Sequence, residues 1–275
     1  MKLSVESPPY HLLLVDALNL IRRIYAIAER PFQPIRGELS DQTRHQLIHN
    51  TATSTASAIK KLLQQFSPSH ALMVFDASNT SWRKTLFPEY KEGRSPMPEA
   101  LAYGMGQIQD HLLDVGIDSL LPEEDEADDV IATLALKTAA KQIPVTIIST
   151  DKGFNQLLHH DHIHVYDYFH RKFIQNEDVI EKFGIHSHQF SDFLSLAGDA
   201  TNNIPGVSGI GPKSALEILS ICPKLDHLDL HRLPPKYKCK MEEEWDSWQV
   251  FRQISQLKTD IELGINLKQL RLQRD

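Results

Sequence analysis

The 275-residue chain has 29 lysines and arginines against 36 aspartates and glutamates, a net charge of −7, with 41% hydrophobic and 24% charged residues. This balance suits a folded chain with a sizeable core and excludes a disordered or fibrous polymer. No run approaches the roughly 18 apolar residues of a membrane helix, and the acidic sum disfavours a polyanionic partner unless acids and bases are segregated.

The N-terminal MKLSVESPPYH lacks an apolar run before its prolines and matches a signal peptide poorly. The two cysteines, Cys222 and Cys239, stand in no metal-ligand spacing, so a reduced, cytoplasmic location without a membrane partner is expected. In chain order, HLLLVDA (11–17) reads as a buried strand, Glu29 to Gln42 as a polar connection, and 40–66 as a helix. A second strand, ALMVFDA (71–77), precedes a basic, aromatic segment at 82–94 and a helical pattern at 98–114. A weaker strand near 116–122 leads to a helix over 126–141, with Ile131, Leu134 and Thr138 on one face and Pro144 as a stop. VTIISTD (145–151) and IHVYDYF (163–169) complete the strands. The alternation predicts an α/β fold whose mainly parallel central sheet is flanked by helices, over 1–175. From 176 to 275 the pattern is a C-terminal helical lobe, with a loop or short helix at 225–238 and an amphipathic helix at 240–260. Trp245 and Trp248 read as packing residues. Of the fourteen histidines, those in HHDH (159–162) read as a surface turn rather than a zinc site.

Three of the four clearest strands end on an aspartate: Asp16, Asp76 and Asp151. Aspartate is a common turn residue, which explains any one of them. Three together at the carboxyl ends of a parallel sheet, where ligands of such sheets bind, suggest one shared crevice. PEEDEADDVIATLA (122–135) adds Glu126, Asp128 and Asp129 at a helix start. Acids favour that position through the macrodipole, but so dense a cluster needs a neutraliser, and hard oxygen donors suit Mg²⁺ or Mn²⁺.

WRKTLFPEYKEGR (82–94) sets Arg83, Lys84, Lys91 and Arg94 among Trp82, Phe87 and Tyr90. The cations can stabilise a phosphodiester transition state and Tyr90 can stack on an unpaired base; a solvated helix with an aromatic anchor is the alternative. IPGVSGIGPKSA (204–215) spaces Gly206, Gly209 and Gly211 before a helix that Pro212 can start. There Gly209, Ile210, Gly211, Pro212, Lys213 and Ser214 can hold a DNA backbone through amides and side-chain contacts. A tight interhelical turn is the simpler reading.

LLLVDALNLIRR, FDA with WRKTLFPEYKEGR, EADDVIATLA, STDKGFNQLL and GVSGIGPKSA follow one another as in the 5′-nucleases, over about 11–220. The chain resembles that family, in particular its short stand-alone bacterial flap endonucleases. The resemblance implies a PIN-like 5′-nuclease fold with a short helical arch at about 80–115 carrying Lys91 and Arg94. It also implies a helix–two-turn–helix element at about 189–221 that grips duplex DNA without reading sequence. It assigns a first Mg²⁺ group to Asp16, Asp76, Glu126, Asp128 and Asp129, with Asp128 catalytic and Mn²⁺ a possible substitute. The second group keeps Asp151 and Asp199 but has Gly153 and Asn202 in place of two acids, so a weakened second site is expected, two ions assembling with substrate. It further implies K⁺ on the main-chain carbonyls of Leu196, Ala197, Pro205, Val207 and Ile210. The expected activity is Mg²⁺-dependent cleavage of branched or 5′-flap DNA near the junction. A DNA-junction binder with decayed chemistry is the alternative. A dehalogenase-type phosphatase would want a second acid at position 18, which is leucine.

Overall fold

The computed structural model describes residues 10–33, 39–76 and 81–272. Ala77, the first nine residues and part of the 29–42 connection lie outside that set. Five-residue runs with every side chain buried form β1 (Leu12–Asp16) and β2 (His70–Val74). Burial on both faces is the reason these strands are continuously apolar instead of alternating. With β3 (Asp118–Leu120), β4 (Val145–Ile148), β5 (Ile163–Asp167) and β6 (Lys172–Ile174) they make one six-stranded sheet in the order β3-β2-β1-β4-β5-β6. All pairs are parallel except β5–β6, a return strand that the sequence pattern did not announce.

Alternate residues of the central strands feed two cores. Leu13, Val15, Ala71 and Met73 pack with α1 (Ala17–Glu29), α2 (Asp41–Phe66) and, beyond α3 (Trp82–Leu86), α4 (Glu99–Leu113). Leu12, Leu14, Leu72 and Val74 pack with α5 (Ala127–Ala139) on the other face. Because α4 buries Ala100, Leu101, Ile108 and Leu112 in the first core, it belongs to the body of the protein. Residues 99–113 of the arch expected at about 80–115 therefore pack into the first core.

Beyond the sheet, α6 (Asn176–Phe183), α7 (Phe190–Ala197), α8 (Pro212–Ile221), α9 (Pro235–Glu243) and α10 (Trp245–Ser255) surround a third core centred on Phe190, Ile218, Met241 and Trp248. The helix expected over 240–260 is thus two helices that break at Glu244. The chain then returns to the α/β body: Ile261 and Leu270 enter the second core, and Leu272 N donates to Ser69 O (3.1 Å). No helix among the described residues is long and apolar enough to cross a membrane.

Candidate active site and nucleic-acid interface

The ends of the central strands deliver carboxylates into a crevice of about 280 Å³ lined by Asp16, Asp76, Asp128 and Asp151, with Asn19, Arg22, Lys91 and Arg94 on its walls. The turn role and the site role of these aspartates coexist. Asp16 caps α1, accepting from Asn19 N (3.2 Å), while its other oxygen accepts from Ser149 Oγ (2.8 Å). Asp76 accepts from Ala127 N at the start of α5 (2.9 Å), and Asp151 from Gly153 N (2.7 Å). Each cap uses one oxygen and fixes the carboxylate's direction. Asp128 rides on the first turn of α5, half-buried, beside them.

Crowding these acids is unfavourable without a cation. Burial pushes the Asp16 carboxyl up to about 7, and the neighbouring Asp76 and Asp151 add to the rise against the Ser149 and Asn19 hydrogen bonds. Burial likewise raises Asp128 well above the carboxylate range, with repulsion from Asp151, Asp16 and Asp76 outweighing the attraction of Lys91. Among the described residues no three acidic, imidazole or thiolate groups already stand as a closed metal cage. An open crevice of mutually repelling hard oxygens fits instead a hydrated divalent ion of the Mg²⁺ type, which keeps several waters and takes few protein ligands.

The other expected acids are drawn elsewhere. Asp129, expected in the first metal group, is fully buried with its carboxylate consumed. It takes both Arg83 Nη atoms at 2.7 Å, Trp82 Nε1 at 2.8 Å and the Lys258 amide at 2.9 Å. This corrects Arg83 as well: expected on DNA, it is 3% exposed and also donates to the Ile254 and Gln256 carbonyls. Burial alone would lower the Arg83 pKa, but Asp129 and Glu126 hold it above its ordinary value. Glu126 is engaged by Lys91 Nζ (2.8 Å), Ser81 Oγ and Arg83 (3.3 Å). Those charges outweigh its burial and keep its carboxyl below the usual glutamate range. Tyr90, expected to stack on a base, is 4% exposed and packs with Ile204, Phe251 and Ile254, so it cannot stack where it stands. Asp199 is closed off by Lys152 Nζ (2.5 Å) and Asn202 Nδ2 (2.8 Å).

Lys91 and Arg94 do reach the crevice. Three residues that the sequence reading passed over support them. Asn19 accepts from Thr150 N and Oγ1 (3.1 and 3.0 Å), tying α1 to the end of β4. Arg22 donates to the carbonyls of Ser95 and Pro96 (both 3.2 Å) and pins the segment that follows Arg94. Lys152 neutralises Asp199. Asn19 and Arg22 fall about one and two helical turns beyond Asp16, so the helical period was the available signal.

Between α7 and α8 the chain makes the glycine turn. Gly206 has φ +71°, and a Cβ there would stand 2.6 Å from Leu196 O, so only glycine fits against that carbonyl. Leu196 O accepts from Val207 N and Val207 O from Ile210 N, both at 2.9 Å. Gly209, Gly211, Pro212 and Lys213 are exposed, Ser214 half-buried, and Ile210 turned inward. Lys240, unforeseen, donates to Gly209 O (2.8 Å), and Glu244 accepts from Ser208 N (3.0 Å).

A sheet with acids at its strand ends and a helical glycine turn beside it define a class. The 5′-3′ exonuclease N-terminal, resolvase-like domain matches residues 11–184, and the 5′-3′ exonuclease C-terminal SAM fold matches 185–275. The chain belongs to the 5′-3′ exonuclease family. Its relatives include flap endonuclease Xni of Colwellia psychrerythraea, 46% identical over 95% of this chain and 92% of that protein. Flap endonuclease Xni of Vibrio cholerae is 42% identical over 95% and 96%. T5 5′-exonuclease, solved with divalent metal ions (zinc) bound, shares the fold at a TM-score of 0.69 and 23% identity, over 90% of each chain.

Proposed function

We propose that the protein is a divalent-metal-dependent, structure-specific DNA phosphodiesterase that cuts branched or 5′-flap DNA near the single-strand/duplex junction. The observation that carries this reading is the convergence of Asp16, Asp76, Asp128 and Asp151 beneath Lys91 and Arg94. Support comes from relatives named flap endonuclease and from a T5 flap endonuclease solved with DNA and metal ions. The four aspartates would hold Mg²⁺ or Mn²⁺, which when bound would neutralise them and activate a water for attack on the phosphodiester. Asp16, its carboxyl pushed up to about 7, is about half protonated near pH 7 without metal and would release that proton on loading. Lys91 and Arg94 hold and screen the scissile phosphate. Residues 209–214 and Lys240 bind the duplex backbone. The carbonyls of Leu196, Ala197, Pro205, Val207 and Ile210 would hold K⁺ beside them. The α/β body and the helical lobe, divided near residue 175, separate chemistry from grip.

Asp128→Ala is expected to abolish Mg²⁺-dependent cleavage of a 5′-flap duplex while retaining flap affinity in EDTA; undiminished cleavage overturns the site assignment. For K⁺, affinity should fall when a large organic cation replaces it at constant ionic strength. One observation favours a second reading, a junction binder with weakened chemistry: Asp199 is neutralised by Lys152. Appreciable wild-type cleavage in a single-turnover assay refutes it.

A further inference from the structure

The two cations over the crevice are held from outside it. Residues 87–94 dock against 199–204, the loop that runs into the glycine turn. Lys91 N donates to Asn202 O (2.8 Å), Arg94 Nη2 to Asn202 Oδ1 (2.7 Å), Arg94 Nε to Thr201 O (3.2 Å), and Asn203 Nδ2 to Glu89 O (2.8 Å). Behind these bonds Tyr90 and Ile204 share one apolar cluster. Lys91 has φ +59°, a backbone region that side-chain-bearing residues seldom adopt, so its conformation depends on what its amide meets.

The loop is itself braced. Asp199 and Ile204 exchange both backbone hydrogen bonds (2.8 and 2.9 Å). The buried Asp199 carboxylate accepts from Thr201 N (2.9 Å), Lys152 Nζ (2.5 Å) and Asn202 Nδ2 (2.8 Å). Asn202 therefore touches the arch backbone, the Arg94 guanidinium and the Asp199 carboxylate at once. A side-chain amide satisfies both side-chain partners, because its oxygen accepts while its NH₂ donates. Aspartate would keep the bond to Arg94 but repel Asp199, and alanine would make neither.

We propose that Asn202 is a positioning residue: a latch joining the loop that leads into the duplex-gripping turn to Lys91 and Arg94, so that those cations are held over the crevice. Its catalytic consequence rests on the nuclease reading; its geometry does not. The 199/202 pair then works as a polar joint, with the Lys152 ammonium supplying the counter-charge.

The test compares Asn202→Ala and Asn202→Asp with wild type by hydrogen–deuterium exchange of peptides spanning 87–98, flap affinity in EDTA, and single-turnover cleavage in Mg²⁺. Exchange over 87–98 is expected to quicken in both variants without loss of a cooperative melt. The cleavage rate should fall about tenfold, the size of one lost charge-assisted hydrogen bond, with flap affinity within about twofold. In an Arg94→Ala background, where the side-chain link is already cut, Asn202→Ala should cost less than about twofold. Should Asn202→Ala fail to fold, Asn203→Gly, which keeps the φ of +54° and removes the bond to Glu89, gives the milder exchange readout. Unchanged exchange overturns the latch whatever the rates. A rate loss that persists in full beside Arg94→Ala overturns it too, as does a faster Asn202→Asp enzyme that binds an additional Mg²⁺. Absence of wild-type cleavage on every branched DNA would sink the nuclease reading instead, and exchange would still decide the latch.

Discussion

Replacing Asp129 by alanine removes a carboxylate that accepts four hydrogen bonds in a fully buried position, two of them from Arg83 at 2.7 Å. What remains is a guanidinium 3% exposed, facing Glu126 at 3.3 Å, the Ile254 and Gln256 carbonyls and the Trp82 ring, 4.4 Å to its centroid. Breaking one side of a buried ion pair costs about 3–5 kcal/mol because the surviving charge stays desolvated. For a chain of this size each kcal/mol moves Tm by about 2–4 °C, so Asp129→Ala should lower Tm by about 6–20 °C. Melting in EDTA measures this, and Mg²⁺ titration at a temperature where the variant is folded measures the site. The expected result is a large fall in Tm with Mg²⁺ affinity within about threefold of wild type. Replacing both partners, Arg83→Met with Asp129→Leu, should recover much of the loss, since no buried charge is then stranded. A variant that melts like wild type but loses tenfold or more in Mg²⁺ affinity would refute the reasoning and return Asp129 to the metal.

The other expectations concern pH and the DNA-gripping turn. Asp16 has its folded pKa raised to about 7, so its contribution favours folding below the unfolded aspartate value near 4 and is lost as pH rises through 7. The full displacement corresponds to about 4 kcal/mol. Burial holds His11, His70, His159, His160, His164 and His188 below their ordinary value, and they favour folding as pH rises toward 6.5, so the Asp16 effect is read as a difference from Asp16→Asn. Metal-free wild type should lose stability relative to that variant across the window, and Mg²⁺ should restore the upper end with proton release; a difference that does not change with pH contradicts the burial argument. Glu126, held low, acts in the opposite sense and only below the ordinary glutamate range, so it does not mask the effect. Gly209→Ala meets φ +70° and places a Cβ 1.9 Å from Lys240 Nζ, so flap affinity should drop several-fold while Mg²⁺ affinity holds. Lys213→Ala should reduce the slope of log affinity against log salt by about 1, measured by binding titrations at several salt concentrations; an unchanged slope removes Lys213 from the interface.

Where buried apolar runs make strands, the sequence was readable. β1, β4 and β5 stand within the expected segments, and β2 starts one residue before its own, because burial on both faces leaves no alternation to confuse with a helix. β6 is three residues at a sheet edge, too short to carry a period. Asp16, Asp76 and Asp151 were legible for the same reason as the strands, since each stands at or just beyond the end of one, whereas Asp128 lies on the first turn of α5. Which acids in EADD face the crevice was not legible, because the answer depends on Arg83, 46 positions before Asp129, and on the Lys258 amide 129 positions after it. Tyr90 misled in the same way. Its aromatic, basic neighbourhood suits an exposed stacker, yet Ile204 and Phe251, more than a hundred residues away, bury it. The departures at 153 and 202 were plain in the sequence. That Asn202 bonds Arg94 and Asp199 together required the fold.

The placement of the metal is tested most directly by anomalous diffraction from crystals of this chain soaked in Mn²⁺. Density is expected in the crevice between Asp16, Asp76, Asp128 and Asp151, with none at Asp129 or between Lys152 and Asp199. A peak on Asp129 or Asp199 with an empty crevice would contradict it.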